Sequence, residues 1–173
     1  MRQTLPVALT ILLCAVVIAQ LTPALAAAPG QGAANTLTSA EKAAGWRLLF
    51  DGATTTGWRG FKKTDLSAGW TVEAGALTRT GAGGDIVTVD QFESFELVFE
   101  WMAPVRGNSG VFIHVTEDVA SAWQSAPEYQ ILDNVGHKDG LKPETSAGAD
   151  YALHAPVKDV TKPLEQWNES RIV

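Results

Sequence analysis

The stretch from Phe95 to Trp101, which reads FELVFEW in one-letter code, gives the clearest indication of how this chain folds. Its largest apolar side chains fall on the odd-numbered positions, and its two glutamates fall on even-numbered ones. A period of two is that of a β-strand, whose successive side chains point to opposite faces of a sheet. The sequence therefore predicts a strand with one row in a core and with Glu100 on the other face.

Two further stretches show the same alternation. Residues 107–114 read GNSGVFIH, and residues 128–134 read EYQILDN. The period turns His114 away from the core in the first stretch and turns Glu128 and Gln130 away from it in the second. Neighbouring strands lie about 4.8 Å apart, so polar side chains on adjacent strands can converge on one ligand. If the three strands are neighbours, one face carries Glu100, His114, Glu128 and Gln130.

The rest of the chain reads as short strands separated by Gly-rich turns. A capping box formed by Thr38 and Glu41 predicts one short helix that ends at Gly45. Many short strands at near-regular spacing predict an all-β fold, an antiparallel β-sandwich or jelly roll. The candidate strands are Trp46–Phe50, Gly57–Phe61, Trp70–Glu73, Ala76–Thr80, Asp85–Val89, Ser94–Ala103, Gly110–Glu117, Glu128–Leu132, Tyr151–His154 and Glu169–Val173.

The N-terminal segment has the pattern of a signal peptide. Arg2 precedes an apolar run, and small residues around Ala26 to Ala28 provide a cleavage site. We interpret residues 1–27 as the signal peptide, 28–36 as a flexible linker and 37–173 as a single domain. An uncleaved signal anchor is the alternative. Such a peptide would direct export of the protein to the periplasm or medium. Its cleavage would remove Cys14, the only cysteine, so the domain would fold without a disulfide.

The charge balance limits the classes of partner. Without residues 1–27 the chain has 12 basic and 19 acidic residues, a net charge of −7. An acidic protein without a basic run is a poor partner for nucleic acid or an anionic membrane. We therefore expect no nucleic acid partner and no stable membrane anchor after cleavage.

The ordered set of motifs resembles the 3-keto-disaccharide hydrolase family over about residues 37–173. The motifs are Gly45-Trp46-Arg47-Leu48-Leu49-Phe50-Asp51-Gly52, Gly57-Trp58, Trp70-Thr71-Val72-Glu73-Ala74-Gly75-Ala76-Leu77, Phe95-Glu96-Leu97 with Glu100-Trp101, Gly107-Asn108-Ser109-Gly110-Val111, Glu128-Tyr129-Gln130-Ile131-Leu132-Asp133-Asn134 and Trp167-Asn168. The resemblance implies an exported, concanavalin-like jelly roll that acts on a carbohydrate substrate, a 3-keto sugar. It also implies several further strands after Trp167-Asn168, so we expect this chain to lack a C-terminal part.

The implied chemistry suits the polar row. A ketone at C3 of a sugar acidifies the proton at C2, and a base that removes this proton allows the C1 oxygen to leave. Glu128 and His114 are the best candidates for the base, with the other of the two or Glu100 as the acid. Gln130 and Asn108 would donate hydrogen bonds to the sugar. A two-carboxylate glycosidase with Glu100 and Glu128 is the competing mechanism.

Other residues are candidates for binding the sugar. Asp133 follows a strand of the polar row, Trp123 could stack on a sugar ring, and Tyr151 follows a polar loop. Asp85, after two glycines, is interpreted as a turn residue. A divalent metal on the His, Glu and Asp rim is an alternative means of holding an enolate, although no tight ligand spacing supports it. A non-catalytic, lectin-like module is the alternative function, because jelly rolls host both classes.

Overall fold

The computed structural model describes residues 9–11, 16–17 and 34–173. In these residues it contains ten β-strands, one short α-helix and three 3-10 turns. The helix, α1, is Ser39–Ala43. The strands are β1 Leu9–Ile11, β2 Val16–Val17, β3 Trp58–Gly60, β4 Trp70–Glu73, β5 Ala76–Arg79, β6 Ile86–Thr88, β7 Glu96–Trp101, β8 Asn108–Phe112, β9 Glu128–Leu132 and β10 Asn168–Ile172. The 3-10 turns are Ala122–Gln124, Lys138–Leu141 and Pro143–Thr145.

The strands pair antiparallel in four groups within the described residues. Two groups have three strands, in the orders β1-β5-β4 and β10-β7-β2, and two have two strands, β3-β6 and β8-β9. The predicted all-β, antiparallel β-sandwich is therefore confirmed. Strands β4 and β9 have the predicted bounds, which reflects the turn residues on either side of them.

The core lies between β7 and the β8-β9 hairpin. Phe99 is fully buried, and its ring meets that of Tyr129 edge to face at 5.3 Å. Leu97 and Trp101 continue the same buried row, and Ile131 packs against it from β9. The alternation from Phe95 to Trp101 thus places its apolar row in the core, as predicted.

The opposite face of β7 is also covered. Val98 is buried in a second cluster with Leu37 and Trp46, which flank helix α1. The predicted capping box is present, since the Thr38 hydroxyl accepts from the backbone N–H of Glu41 and the Glu41 carboxylate accepts from that of Thr38. The short helix therefore fixes the segment that covers β7 from outside.

Two of the predicted strands do not form. Residues 46–50 take no strand pairing, because the carbonyl oxygen of Leu49 accepts instead from the indole N–H of Trp58 at 2.7 Å. The segment from Tyr151 to His154 is a tight turn in which Ala152 has a φ of 60°. Its backbone is used locally, since the N–H of His154 donates to the carbonyl oxygen of Asp150.

Most of the N-terminal prediction lies outside the described residues. These include Cys14, the cleavage site around Ala26 to Ala28 and the linker up to residue 33. The two short strands in the predicted signal peptide pair with the domain, β1 with β5 and β2 with β7. No helix within the described part of the chain is both long and apolar enough to span a membrane.

Candidate functional site

A cleft of about 890 Å³ opens beside the β8-β9 hairpin. Its walls come from β3, β6, the 90–95 segment, β8 and the chain that follows β8. Leu97 of β7 also lines it. Among the lining residues are Trp58, Arg59, Trp70, Arg79, Asp85, Phe95, Leu97, Asn108, Gly110, His114, Glu117 and Glu128. The mixture of aromatic rings and a few polar groups is typical of small-molecule sites.

The Glu128 carboxyl lies across the neighbouring strand. Glu128 stands opposite Phe112 in the β8-β9 register, so its side chain shares a face with Gly110, two residues earlier on β8. A Cβ atom at Gly110 would lie only 2.6 Å from Cγ of Glu128, and still closer to a carboxylate oxygen. The glycine therefore provides the space in which this carboxyl lies.

Two causes raise the pKa of Glu128 to about 7. The larger is burial, which disfavours the charged carboxylate, and the smaller is the negative charge of Asp85. A carboxyl group with this pKa is half ionised near neutral pH. It can therefore act as a base that is stronger than an ordinary glutamate.

Asp85 is the residue that sequence reasoning missed. It precedes β6, lines the cleft and contributes to the raised pKa of Glu128, although it is 43 positions away in the chain. Its interpretation as a turn residue rested on Gly83 and Gly84. No local signal marks its effect on Glu128, because the two residues belong to different strand pairs, β3-β6 and β8-β9.

His114 lines the cleft, but not as part of a strand. Strand β8 ends at Phe112, so the predicted strand Gly110–Glu117 is wrong in its second half. His114 has a φ of 58°, a left-handed conformation that breaks the alternation. Its ring meets that of Phe95 edge to face at 5.7 Å, and the side chain is exposed at the cleft wall.

An ion pair holds the segment that follows β8. Arg59 donates to both carboxylate oxygens of Glu117, at 2.7 and 2.8 Å, and the backbone N–H of Lys62 donates to the same group. These hydrogen bonds, that of Arg59 first, lower the pKa of Glu117 to about 2. The pair joins β3 to the chain near His114 and so fixes one wall of the cleft.

Gln130 does not lie on an open face. Its side chain is 1% exposed, because the segment 145–149 covers β9. The backbone of Gln130 pairs with this segment, donating to Ala149 and accepting from Gly148, and its amide donates to the carbonyl oxygen of Thr145 at 3.4 Å. The prediction that Gln130 lies on an open, outward face is therefore wrong, and its contact with the sugar stays a prediction. The covering loop removes this side chain from the cleft.

Glu100 lies on a different sheet from Glu128. Strand β7 pairs with β10 and β2, whereas β8 pairs with β9, so the three predicted strands are not neighbours. Glu100 stands opposite Glu169 of β10, on the face of β7 that carries Val98. It does not line the cleft, whereas Leu97 does. The prediction that Glu100 joins a single polar row with Glu128 is wrong for this reason.

Among the predicted binding residues, Asn108 lines the same cleft as Glu128, and Tyr151 interacts electrostatically with it. Asn108 begins β8, is exposed and lines the cleft. Burial raises the pKa of Tyr151, and the negative charges of Asp139 and then Glu128 raise it further. Tyr151 is thus within electrostatic range of the Glu128 carboxyl.

Asp133 and Trp123 are placed differently from what the sequence suggested. The Asp133 carboxylate is 4% exposed and accepts from the backbone N–H groups of Arg106, Val135 and Gly136, so it holds two turns together. Trp123 is 65% exposed on the 3-10 turn Ala122–Gln124, where Ala122 rather than Trp123 lines the cleft.

The described residues also bear on the metal alternative. In residues 34–173, and in the two short N-terminal strands, no group of three or more His, Cys, Asp or Glu side chains is arranged to hold a metal ion. The prediction of a metal on the rim therefore gains no support from the geometry. The polar groups that line the cleft include Glu128, Asp85, His114 and Asn108.

Known proteins place the chain in a family. The family described as "3-keto-alpha-glucoside-1,2-lyase-like domain" matches residues 45–173. A 3-keto-disaccharide hydrolase from Bacteroides thetaiotaomicron is 33% identical over 152 residues, which is 75% of this chain and 52% of the relative. This chain thus spans about half the length of that curated relative. A crystal structure of a candidate glycosyl hydrolase from Parabacteroides distasonis has a TM-score of 0.74 and 36% identity, covering 79% of this chain and 67% of the other. With its antiparallel sandwich and a family match over most of its length, the chain belongs to the 3-keto-alpha-glucoside-1,2-lyase-like domain family.

Proposed function

We propose that this protein cleaves the glycosidic bond of 3-keto-glucosides or 3-keto-disaccharides by elimination followed by hydration. The observation that carries the proposal is the half-buried Glu128 in the cleft, with its pKa raised to about 7. The names of the family and of the Bacteroides relative, a lyase-like domain and a 3-keto-disaccharide hydrolase, support the same substrate class.

The raised pKa suits the first step. A ketone at C3 makes the C2 proton more acidic, but removing this proton still requires a base stronger than an ordinary carboxylate. An ordinary glutamate, with a pKa near 4.5, is ionised at neutral pH but is a weak base. Raising that pKa toward the working pH strengthens the base while leaving a large ionised fraction.

The proposed reaction has three steps: proton removal, elimination and hydration. The Glu128 carboxylate takes the proton from C2 and an enolate forms, with its charge on the C3 oxygen. The enolate re-forms the ketone as the C1–O bond breaks, and the electron pair leaves with the aglycone oxygen, which takes up a proton. Water adds across the C1=C2 double bond, its hydroxyl to C1 and a proton to C2. The sum of these steps is hydrolysis.

Two further residues complete the proposed site. His114, at the cleft wall, is the candidate acid for the departing oxygen, because a protonated imidazole ring can donate a proton. Asn108 is the candidate donor to a sugar hydroxyl or to the enolate oxygen, because its amide is exposed in the cleft. Both assignments rest on position in the cleft and on side-chain chemistry.

The first test is the release of sugar from 3-keto-trehalose or a 3-keto-glucoside. Glu128→Gln removes the base while keeping the shape, and we expect kcat/KM to fall about 10²- to 10⁴-fold. Glu100→Gln is the matched control, since it makes the same change outside the cleft. Equal losses in both variants, or none in Glu128→Gln, would refute the assignment of Glu128.

A second measurement separates elimination from a direct two-carboxylate mechanism. In deuterium oxide, elimination and hydration place solvent deuterium on C2 of the released 3-keto sugar. A direct displacement at C1 leaves the C2 hydrogen in place. A product without deuterium at C2, corrected for exchange in an enzyme-free control, would rule out the elimination pathway.

A carbohydrate-binding role without catalysis is the alternative, and the exposed ring of Trp123 favours it. Such a module would bind sugar through stacking and would tolerate loss of the Glu128 carboxylate. Sugar binding that Trp123→Ala abolishes and Glu128→Gln preserves, with no turnover by the unmodified protein, would favour this alternative.

We also propose that the protein is exported, with residues 1–27 as the signal peptide. Cleavage would remove β1 and β2 and so leave their pairing edges on β5 and β7 free. N-terminal sequencing of the protein recovered from the periplasm or medium tests the proposal. A cell-associated product that retains Met1 would contradict it.

A further inference from the structure

A second, smaller cavity of about 440 Å³ adjoins the cleft. Arg79 and Asn108 line both spaces, so the two spaces adjoin at these residues. Arg106 and Pro104 line the smaller cavity alone. Beside Asn108 the cleft therefore borders a space lined by two arginines, which we call the basic cavity.

Among the residues that the structure describes, the two arginines have no acidic partner. Arg79 uses its Nε–H on the carbonyl oxygen of Gly81 at 3.2 Å, and within the described residues neither guanidinium takes part in an ion pair. A nearby carboxylate, that of Asp133, is buried and accepts the backbone N–H of Arg106 at 2.7 Å rather than its side chain. The described lining of the basic cavity contains no Asp or Glu. In a protein with a net negative charge, this is a local positive site.

The backbone of Arg106 provides an independent observation. The N–H of Gly107 donates to the carbonyl oxygen of Pro104 at 2.8 Å, which closes a tight turn with Arg106 in its third position. Arg106 has a φ of 60° there, a conformation that glycine adopts more readily than any other residue. The turn therefore fixes the backbone from which the Arg106 side chain borders the basic cavity.

The basic cavity lies at a suitable distance from the base. The Glu128 carboxyl lies over Gly110, and Asn108 is two residues before Gly110 on β8. Since a strand rises about 3.3 Å per residue, Asn108 is about 7 Å along the strand from Gly110. The bond that breaks, at C1, is next to the carbon from which Glu128 takes its proton. A short aglycone that begins at C1 can therefore reach from the cleft into the basic cavity.

We propose that the basic cavity binds an anionic group, a carboxylate or a phosphate, on the aglycone of the 3-keto-glucoside, with Arg79 and Arg106 as its partners. The proposal rests on the proposed function, since it assumes that the sugar ring lies beside Glu128. Guanidinium groups bind both oxyanions through paired N–H donors, which is why the two ligands share one chemistry.

Binding measured without turnover tests this proposal. In the Glu128→Gln background we would compare the 3-keto-glucosides of glycolate and glycolamide by calorimetry, since they differ only in a carboxylate and a neutral amide. We expect the carboxylate to bind about tenfold more tightly or better. Adding Arg106→Gly should abolish most of this difference, and the φ of 60° makes glycine a substitution that the fold tolerates.

Lys62→Gly is the matched control. Lys62 also carries a positive charge at a left-handed φ, 58°, but it lines neither space. We expect it to leave the ratio of the two affinities unchanged. A second pair of ligands, the 2-phosphoethyl and 2-hydroxyethyl 3-keto-glucosides, shows which anion the cavity prefers, by the larger ratio.

These measurements separate failure of the basic-cavity proposal from failure of the proposed hydrolase function. Equal affinities for the charged and neutral ligands, no binding of either, or a ratio that Arg106→Gly does not change, would overturn the proposal. Turnover of the neutral ligand by the unmodified protein, with equal affinities, would overturn it and support the hydrolase. An Arg106-dependent preference without turnover of any ligand would support the cavity and refute the hydrolase.

Discussion

Gly110→Ala tests whether the position of the Glu128 carboxyl controls activity. A Cβ at position 110 would lie 2.6 and 2.7 Å from Cγ and Cδ of Glu128. Carbon atoms in contact prefer about 3.5–4.0 Å, so the carboxyl must move by about 1 Å. The φ of Gly110 does not lie in the left-handed region, and the backbone therefore tolerates alanine.

The displacement should affect catalysis more than stability. A shift of about 1 Å in a reacting group costs about 100-fold in rate, which corresponds to about 2.7 kcal/mol of activation free energy. The atoms that must give way belong to one movable side chain, so we expect the thermal midpoint to change little. Alanine also costs a strand less conformational entropy than glycine does.

The assay is kcat/KM on a 3-keto-glucoside, combined with thermal unfolding, for a double-mutant cycle. If the methyl group acts through Glu128, then Gly110→Ala should add little to the loss already caused by Glu128→Gln. A full, additive loss in the double variant would refute the reasoning, because the methyl group would then act by another route. Unchanged activity in the single variant would refute it equally.

Four further outcomes follow from the structure. Asp85→Asn should shift the rise of kcat/KM with pH, expected near pH 7, to lower pH, because the negative charge that helps to raise the pKa of Glu128 is removed; an unshifted profile would contradict this. Because the folded pKa of Glu128, about 7, lies above the ordinary 4.5, the folded state holds the proton more tightly and stability falls as pH rises from about 4.5 through 7. Glu128→Gln should therefore raise the thermal midpoint at pH 8 but not near pH 4, and the opposite trend would invalidate the sign. Trp123→Ala should leave the midpoint unchanged, since the ring is 65% exposed, and should raise KM only if the ring stacks on the sugar. Phe99→Ala should lower the free energy of unfolding by about 3–5 kcal/mol in chemical denaturation, and a loss below about 1 kcal/mol would contradict its place in the core.

Local sequence patterns predicted the elements that depend on local chemistry. The alternation around Phe99 identified the core row of β7, and turn residues bounded β9 as observed. The capping box at Thr38 was visible in four consecutive residues. Each of these features depends on interactions between residues close in the chain, and so each leaves a local signal.

Which residues come together in the cleft could be predicted only in part. Glu128, His114 and Asn108 were predicted to belong to the site, and all three line the cleft. Glu100 was wrongly placed with them, because an alternating pattern shows which face of a strand a side chain lies on but not which strands are neighbours in a sheet. Gln130 has the predicted register, yet a loop that begins 15 residues later covers it.

The sequence pattern alone predicted short antiparallel strands, the buried row of β7 that contains Phe99, and the position of Glu128 outside the core row of β9. The three-dimensional packing was needed to show that β8 and β9 pair apart from β7, that Asp85 acts on Glu128, and that Arg79 and Arg106 border a common cavity. The physical reason is the range of the interactions. A period of two arises from the backbone geometry of one strand, whereas sheet pairing, burial and the field on a carboxyl arise from residues distant in the chain.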